Sequence, residues 1–206
     1  MNAVPGGGAA RGRILRAPRT VTMLMVAKLV TEAGESLCRI RNVAPGGLML
    51  DTVARLHRGQ PVSIELRNAQ CLTGMIAWCD GTRAGVIFPA PIDVTAIVAM
   101  APARSSRILR VRQPRGPRIA LDRQIEVELA AGRVFGRVID ISQGGARLSL
   151  PVRPDLGEWL TLDLPGLKRK RAIVRWIATY VGVAFAEPLS FEALSDWLAD
   201  VAALSR

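Results

Sequence analysis

The sequence predicts an all-β fold: two tandem six-stranded β-barrels, the second closed by a C-terminal helix. Two observations carry this reading. First, the chain repeats itself. Asn42-Val43-Ala44-Pro45-Gly46-Gly47-Leu48 parallels Asp140-Ile141-Ser142-Gln143-Gly144-Gly145-Ala146, and Gly59 to Leu66 parallels Gly157 to Leu164. Ile76-Ala77-Trp78 matches Val174-Arg175-Trp176, Gly85-Val86-Ile87-Phe88 matches Gly182-Val183-Ala184-Phe185, and Arg16-Ala17-Pro18-Arg19 matches Arg115-Gly116-Pro117-Arg118. Five blocks in one order, at a nearly constant separation, mark two copies of one domain. Second, each copy consists of short apolar runs broken by turn dipeptides, the pattern of barrel strands.

Residues 1–18, rich in Gly, Ala, Pro and Arg, read as a disordered basic tail. The first barrel spans 19–100, with strands expected near 21–30, 35–43, 47–51, 61–67, 70–79 and 83–88. Ala33-Gly34, Pro45-Gly46-Gly47, Arg58-Gly59 and Asp80-Gly81 supply its turns. Pro89 and Pro91 stop the last strand, and Asp93 to Met100 suits a short helical turn. Residues 101–118 carry Pro102, Pro114 and Pro117 among arginines and read as an exposed connector. The second barrel, within 119–206, repeats the strands near 123–130, 133–141, 145–150, 158–164, 170–178 and 181–186. Ser190 then fits the N-cap of a closing helix. Phe191, Leu194, Trp197, Leu198, Val201 and Leu204 fall on one face of that helix. The stripe is expected to pack on its own barrel, with a dimer contact as the alternative.

Half of the 206 residues are hydrophobic, which excludes disorder across the whole chain. Lys and Arg number 28 against 17 Asp and Glu, a net charge of +11 that favours nucleotides, nucleic acid or acidic membrane surfaces as partners. The longest apolar run, Val21 to Val30, is interrupted by Lys28 and is too short to cross a bilayer. No apolar signal region opens the chain, so a soluble cytoplasmic protein is expected. Cys38, Cys71 and Cys79 lie in strand-like apolar surroundings and are expected as buried, reduced thiols. The four tryptophans are expected mostly in the core, Trp78 and Trp176 at equivalent positions. His57, the single histidine, sits among Arg55, Arg58 and Gly59 and reads as a surface residue. Gly6-Gly7-Gly8 lacks the strand and Lys-Ser/Thr of a phosphate loop. Glu126 and Glu128 share a strand face as solvated carboxylates. With no metal-ligand cluster either, no enzyme is expected.

The residues that carry ligand chemistry are concentrated at Asp140-Ile141-Ser142-Gln143-Gly144-Gly145. Asp140 and Ser142, two apart in a strand, share a sheet face. The glycine pair allows a sharp turn and close approach to the backbone. Upstream stand Arg104, Arg107, Arg110, Arg112, Arg115, Arg118 and Arg123. Their planar forks suit phosphate or the edge of a base. This set describes a small anionic, purine-bearing ligand.

An arginine segment, an Asp/Asn-x-Ser-x-x-Gly motif two dozen residues later, the Val174-x-Trp176 strand and Gly182-Val183-Ala184-Phe185 together resemble the PilZ domain family. The resemblance is good over 112–198 and weaker over 16–98. It implies six-stranded PilZ-like barrels and a receptor for the second messenger cyclic di-GMP. In the family an Arg-x-x-x-Arg lead-in and the motif's Asp or Asn and Ser hold the ligand. The resemblance therefore assigns Asp140, Ser142 and Gly145 to the site, with Arg115 and Arg118 as the arginine pair and Arg112 as a third contributor. No two of the seven lead-in arginines are four residues apart; Arg112/Arg115 and Arg115/Arg118 are three apart and Arg110/Arg115 five. In the first copy Ala44 stands where the motif has a hydroxyl and Pro45 stiffens the turn, which points to a structural or partner-docking role.

The function expected is a cyclic di-GMP receptor or adaptor, needing no cofactor, that relays the signal to an effector protein by ordering its connector on the second barrel. The alternative is a ligand-independent tandem interaction module. Nucleic acid is disfavoured, because few aromatics interleave with the arginines to stack on bases.

Overall fold

A computed structural model describes residues 21–67, 69–99 and 116–204. The first barrel is built from β1 (Val21–Thr31), β2 (Gly34–Ala44), β3 (Gly47–Thr52), β4 (Pro61–Glu65), β5 (Cys71–Asp80) and β6 (Arg83–Ile87), followed by the short helix α1 (Val94–Ala99). The second repeats it with β7 (Ile119–Leu129), β8 (Gly132–Ser142), β9 (Gly145–Ser149), β10 (Trp159–Asp163), β11 (Lys170–Ile177) and β12 (Val181–Phe185), and ends in α2 (Phe191–Leu204). Each set closes into an antiparallel barrel, in the orders β1-β2-β3-β6-β5-β4 and β7-β8-β9-β12-β11-β10.

Period-two alternation explains the closure. Met23, Met25, Ala27 and Leu29 of β1 all point inward and are buried. The interior of the second barrel is filled in the same way by Ile125, Val127, Val138, Leu148, Leu162 and Val174. Gly34 and Gly132 follow the first hairpin turn of each copy at φ of 119° and 127°, backbone that L side chains rarely adopt.

The repeat extends to the irregularities. β-Bulges interrupt β1 between Thr22 and Met25, β2 between Ile40 and Asn42, and β5 between Ile76 and Trp78. The second copy has bulges between Ala120 and Arg123, Val138 and Asp140, and Val174 and Trp176. A bulge shifts the inward–outward phase of the residues beyond it. Val138 is inside the barrel, and the extra Ile139 lets Asp140 and Ser142 take the outer face.

The first bulge also explains where the sequence reading fell short. β7 starts at Ile119, not near 123, because Ile119 and Ala120 pair with Ile141 and Asp140. Leu121 and Asp122 break the alternation that would have revealed this stretch. Arg123 lies within β7, inside the strand expected from 123 onward. Residues 1–18 and Arg112 and Arg115 of the connector lie outside the described residues.

Two further expectations need correction. Only Cys38 is buried; Cys71 and Cys79 are exposed on β5. Of the tryptophans only Trp197 is in the core, while Trp78 and Trp159 are 43% and 45% exposed. Trp78 and Trp176 lie on the outer face, each across a glycine of the neighbouring strand. A Cβ added at Gly85 or Gly182 would overlap the indole. The shared Trp–Gly pairs are thus outer-surface features of the repeat.

Ser190 caps α2, its Oγ accepting from the Ala193 N–H at 3.0 Å. Phe191, Leu194, Trp197 and Leu198 join the second barrel's core, and the indole of Trp197 donates to the Pro165 carbonyl at 2.8 Å. The helix also meets the first barrel. Arg39 lies 4.3 Å from the centroid of the Phe191 ring and pairs with Glu192 at 2.7 Å. Glu192 accepts first from its own backbone N–H and then from Arg39, which holds its carboxyl below the usual glutamate range. Leu37, on the outer face of β2, is fully buried among the second barrel's apolar residues, with Val26 beside it. Glu35 pairs with Lys28 at 2.9 Å through one oxygen and accepts the Ala120 N–H at 2.9 Å through the other. The two barrels therefore share a seam. Among the described residues no helix is long and apolar enough to cross a membrane.

Candidate functional site

On the outer face of the second barrel, strand register sets five residues in one cross-strand row: Ala120, Asp140, Arg147, Gly182 and Trp176. Asp140 is the acid of the row and is buried, at 6% exposure. Such a carboxylate needs charged partners, and it has two. Arg118, immediately before β7, donates from Nη1 to Oδ1. Arg147, on β9, brings Nε within 2.7 Å of Oδ2, an ion pair without hydrogen-bond alignment. Two guanidinium groups thus flank one carboxylate, leaving a net positive charge on a surface row. The Arg147 guanidinium also lies 5.2 Å from the centroid of the Tyr180 ring, within cation–π range.

Ser142 pairs with Gly145 at the end of the β8–β9 hairpin. It is buried, and its hydroxyl donates to the Gly145 carbonyl at 3.2 Å, which leaves its oxygen lone pairs as acceptors. Gly145 has a packing role that the sequence reading did not foresee: a Cβ there would collide with the Val183 carbonyl of β12. Neither Gly144 nor Gly145 is in the left-handed region, so the turn does not depend on positive φ. The hairpin is clamped from outside. Gln143 Nε2 donates to the Leu189 carbonyl at 3.1 Å, the Leu189 N–H donates to the Gln143 carbonyl at 2.8 Å, and the Phe185 N–H donates to the Gly144 carbonyl at 3.0 Å.

The structure therefore brings together Arg118, Asp140, Ser142 and Gly145. Arg147 and Tyr180 stand beside them and were not anticipated. A signal for Arg147 existed: two residues after Gly145 in a strand, it must share that glycine's face. The equivalent row of the first barrel reads Thr22, Asn42, Met49, Gly85, Trp78. It keeps the glycine and tryptophan and loses the acid and the arginine. Next to it Met75 and Ile87, directly paired, are each 50% exposed.

The PilZ domain model matches the sequence twice, over residues 14–100 and 110–200. The chain belongs to the PilZ family. No curated protein matches it. Among solved structures, PlzA of Borreliella burgdorferi in complex with c-di-GMP is 11% identical, over 91% of this chain and 94% of that one, at a TM-score of 0.35. The inhibitor of motility MotI/DgrA of Bacillus subtilis is 14% identical, over 90% and 99%, at 0.35. YcgR of Escherichia coli in complex with c-di-GMP is 13% identical, over 89% and 85%, at 0.31. An Asp-x-Ser-x-x-Gly sequence occurs only in the second of the two matched regions, as Asp140, Ser142 and Gly145.

Proposed function

We propose that this PilZ protein is a non-enzymatic cytoplasmic receptor for cyclic di-GMP that passes the signal to an effector protein. The observation that carries the proposal is the pairing of Arg118 with Asp140 on the outer face of the second barrel, beside the Ser142–Gly145 turn. The ligand offers two phosphates and two guanines. An arginine fork takes either a phosphate or the O6/N7 edge of guanine, and a carboxylate accepts from amino and imino groups of the base. Arg118, Asp140, Ser142 and Gly145 form the floor of the proposed site, and Arg112 and Arg115 close over it from the connector.

In this reading, 19–100 and 119–206 are the two barrel units, 1–18 is a tail and 101–118 is the connector that ligand binding orders. The seam offers a route for the signal. Arg118 is two residues from Ala120, whose N–H is held by Glu35 of the first barrel. Repositioning Arg118 onto a ligand therefore acts directly on a seam contact, a disorder-to-order step coupled to domain placement.

The test is calorimetric titration with cyclic di-GMP of the wild type and of Arg118→Ala and Asp140→Ala, with GTP as control. Micromolar or tighter binding that both substitutions abolish supports the receptor. A folded wild type that takes up no cyclic di-GMP leaves the second reading, a ligand-independent interaction module. The apolar outer face formed by Met49, Met75, Trp78 and Ile87 of the first barrel favours that alternative.

A further inference from the structure

Two guanidinium groups flank Asp140, and only one of them, Arg118, comes from the arginine segment upstream of the barrel. We infer that Arg147 is a ligand-binding arginine, forming with Arg118 the guanidinium pair of the site. The inference rests on the receptor reading above and adds a residue that neither the motif nor the lead-in contains.

Four observations support it. Arg118 and Arg147 contact the two oxygens of the same Asp140 carboxylate, so their forks stand side by side on one face. The Nε of Arg147 is shielded from solvent, yet 39% of the side chain is exposed. Among the described residues neither of its Nη groups donates a hydrogen bond, and Asp140 is the one acid it pairs with. A fork anchored through Nε presents its Nη edge outward, the edge that chelates phosphate or guanine O6/N7. Tyr180 lies 5.2 Å from the guanidinium, within cation–π range, and so reports on its surroundings. Finally, Arg147 is carried by a central barrel strand, paired on one side with Asp140 and on the other with Gly182. A group placed by strand register is pre-organised, whereas an arginine on a connector must be ordered when the ligand arrives.

The competing explanation is that Arg147 only neutralises Asp140. Charge alone would do that, so lysine would serve as well; chelation needs the fork. The experiment titrates wild type, Arg147→Ala and Arg147→Lys with cyclic di-GMP by calorimetry, with circular dichroism to show that each variant is folded. In parallel, 3-fluorotyrosine is incorporated at Tyr180, the one tyrosine of the chain, and its ¹⁹F resonance is followed during titration. The expected result is affinity weakened at least fivefold in both variants, with a ¹⁹F shift in the wild type that saturates together with the calorimetric signal. A smaller loss in Arg147→Ala, wild-type affinity in Arg147→Lys, or an unmoved ¹⁹F resonance overturns the inference while leaving the receptor intact. Absence of binding by the wild type is a different failure, that of the receptor reading, and this assignment falls with it.

Discussion

Leu37 provides the sharpest test of whether the two barrels act as one body. It sits on the outside of its own barrel, yet it is 1% exposed because the apolar residues of the other barrel cover it. Leu37→Ala removes Cγ and both Cδ atoms. At about 0.8 kcal/mol per buried carbon the transfer cost is about 2.4 kcal/mol. An unrelaxed cavity adds to this, but the seam lies between two units that can settle together. About 2.5–4 kcal/mol is therefore expected, inside the range of about 2–5 measured for buried leucines. For a cooperative unit of this size such a loss lowers the melting temperature by roughly 5–15 °C. Scanning calorimetry of Leu37→Ala beside Leu24→Ala makes the comparison internal, since Leu24 belongs to the same barrel and is 51% exposed. If both variants melt alike, Leu37 is not covered in solution and the seam does not couple the barrels.

Gly145→Ala should destabilise the protein by about 1–3 kcal/mol, because the new Cβ meets a backbone carbonyl that cannot move without disturbing the β9–β12 pairing. Gly144→Ala, with nothing within 4 Å, should stay within about 0.5 kcal/mol of wild type; urea titrations that rank the two alike refute the packing argument. A thiol-reactive disulfide reagent should modify Cys71 and Cys79 rapidly in the native protein and Cys38 only on unfolding, since burial pushes the Cys38 thiol up to about 12. Native modification of all three would show that the first barrel opens.

Much of the fold was legible because a repeat doubles every signal. Turn glycines, the Trp strand and the Gly-Val-x-Phe strand each appear twice, so the strands and their order could be read with little ambiguity. What was missed shares one physical cause. Residue type was read as burial, yet a barrel has an outer face, and bulges decide which residues reach it. Trp78, Trp176 and Cys79 follow bulges or flank them, and there the inward–outward alternation is interrupted. The same applies to β7, whose first residues are separated from its regular part by Leu121 and Asp122. Asp140 and Ser142 were placed on one face correctly, although it is the extra Ile139 that turns that face outward. Arg147 went unnoticed because it lies beyond the motif, and only the β8–β9 register sets it opposite Asp140.

The two rows isolate what distinguishes the domains. Both copies keep the bulges, the glycine under the β12 or β6 carbonyl, and the tryptophan laid across a second glycine. These shared residues make the outer face, and since both copies have them they cannot by themselves make a nucleotide site. The differences that bear on ligand chemistry are in side chains: Asp140 against Asn42, Ser142 against Ala44, Arg147 against Met49. Each of these three changes in the first copy removes a charge or a hydroxyl. An anion brought to Asn42 and Met49 would find no cation on that row to replace its lost hydration, whereas the second row carries Arg147, held in place against Asp140. The difference lies in row chemistry on a common scaffold: one barrel carries a charged outer row and the other an uncharged one, and Leu37 and Glu35 join the two.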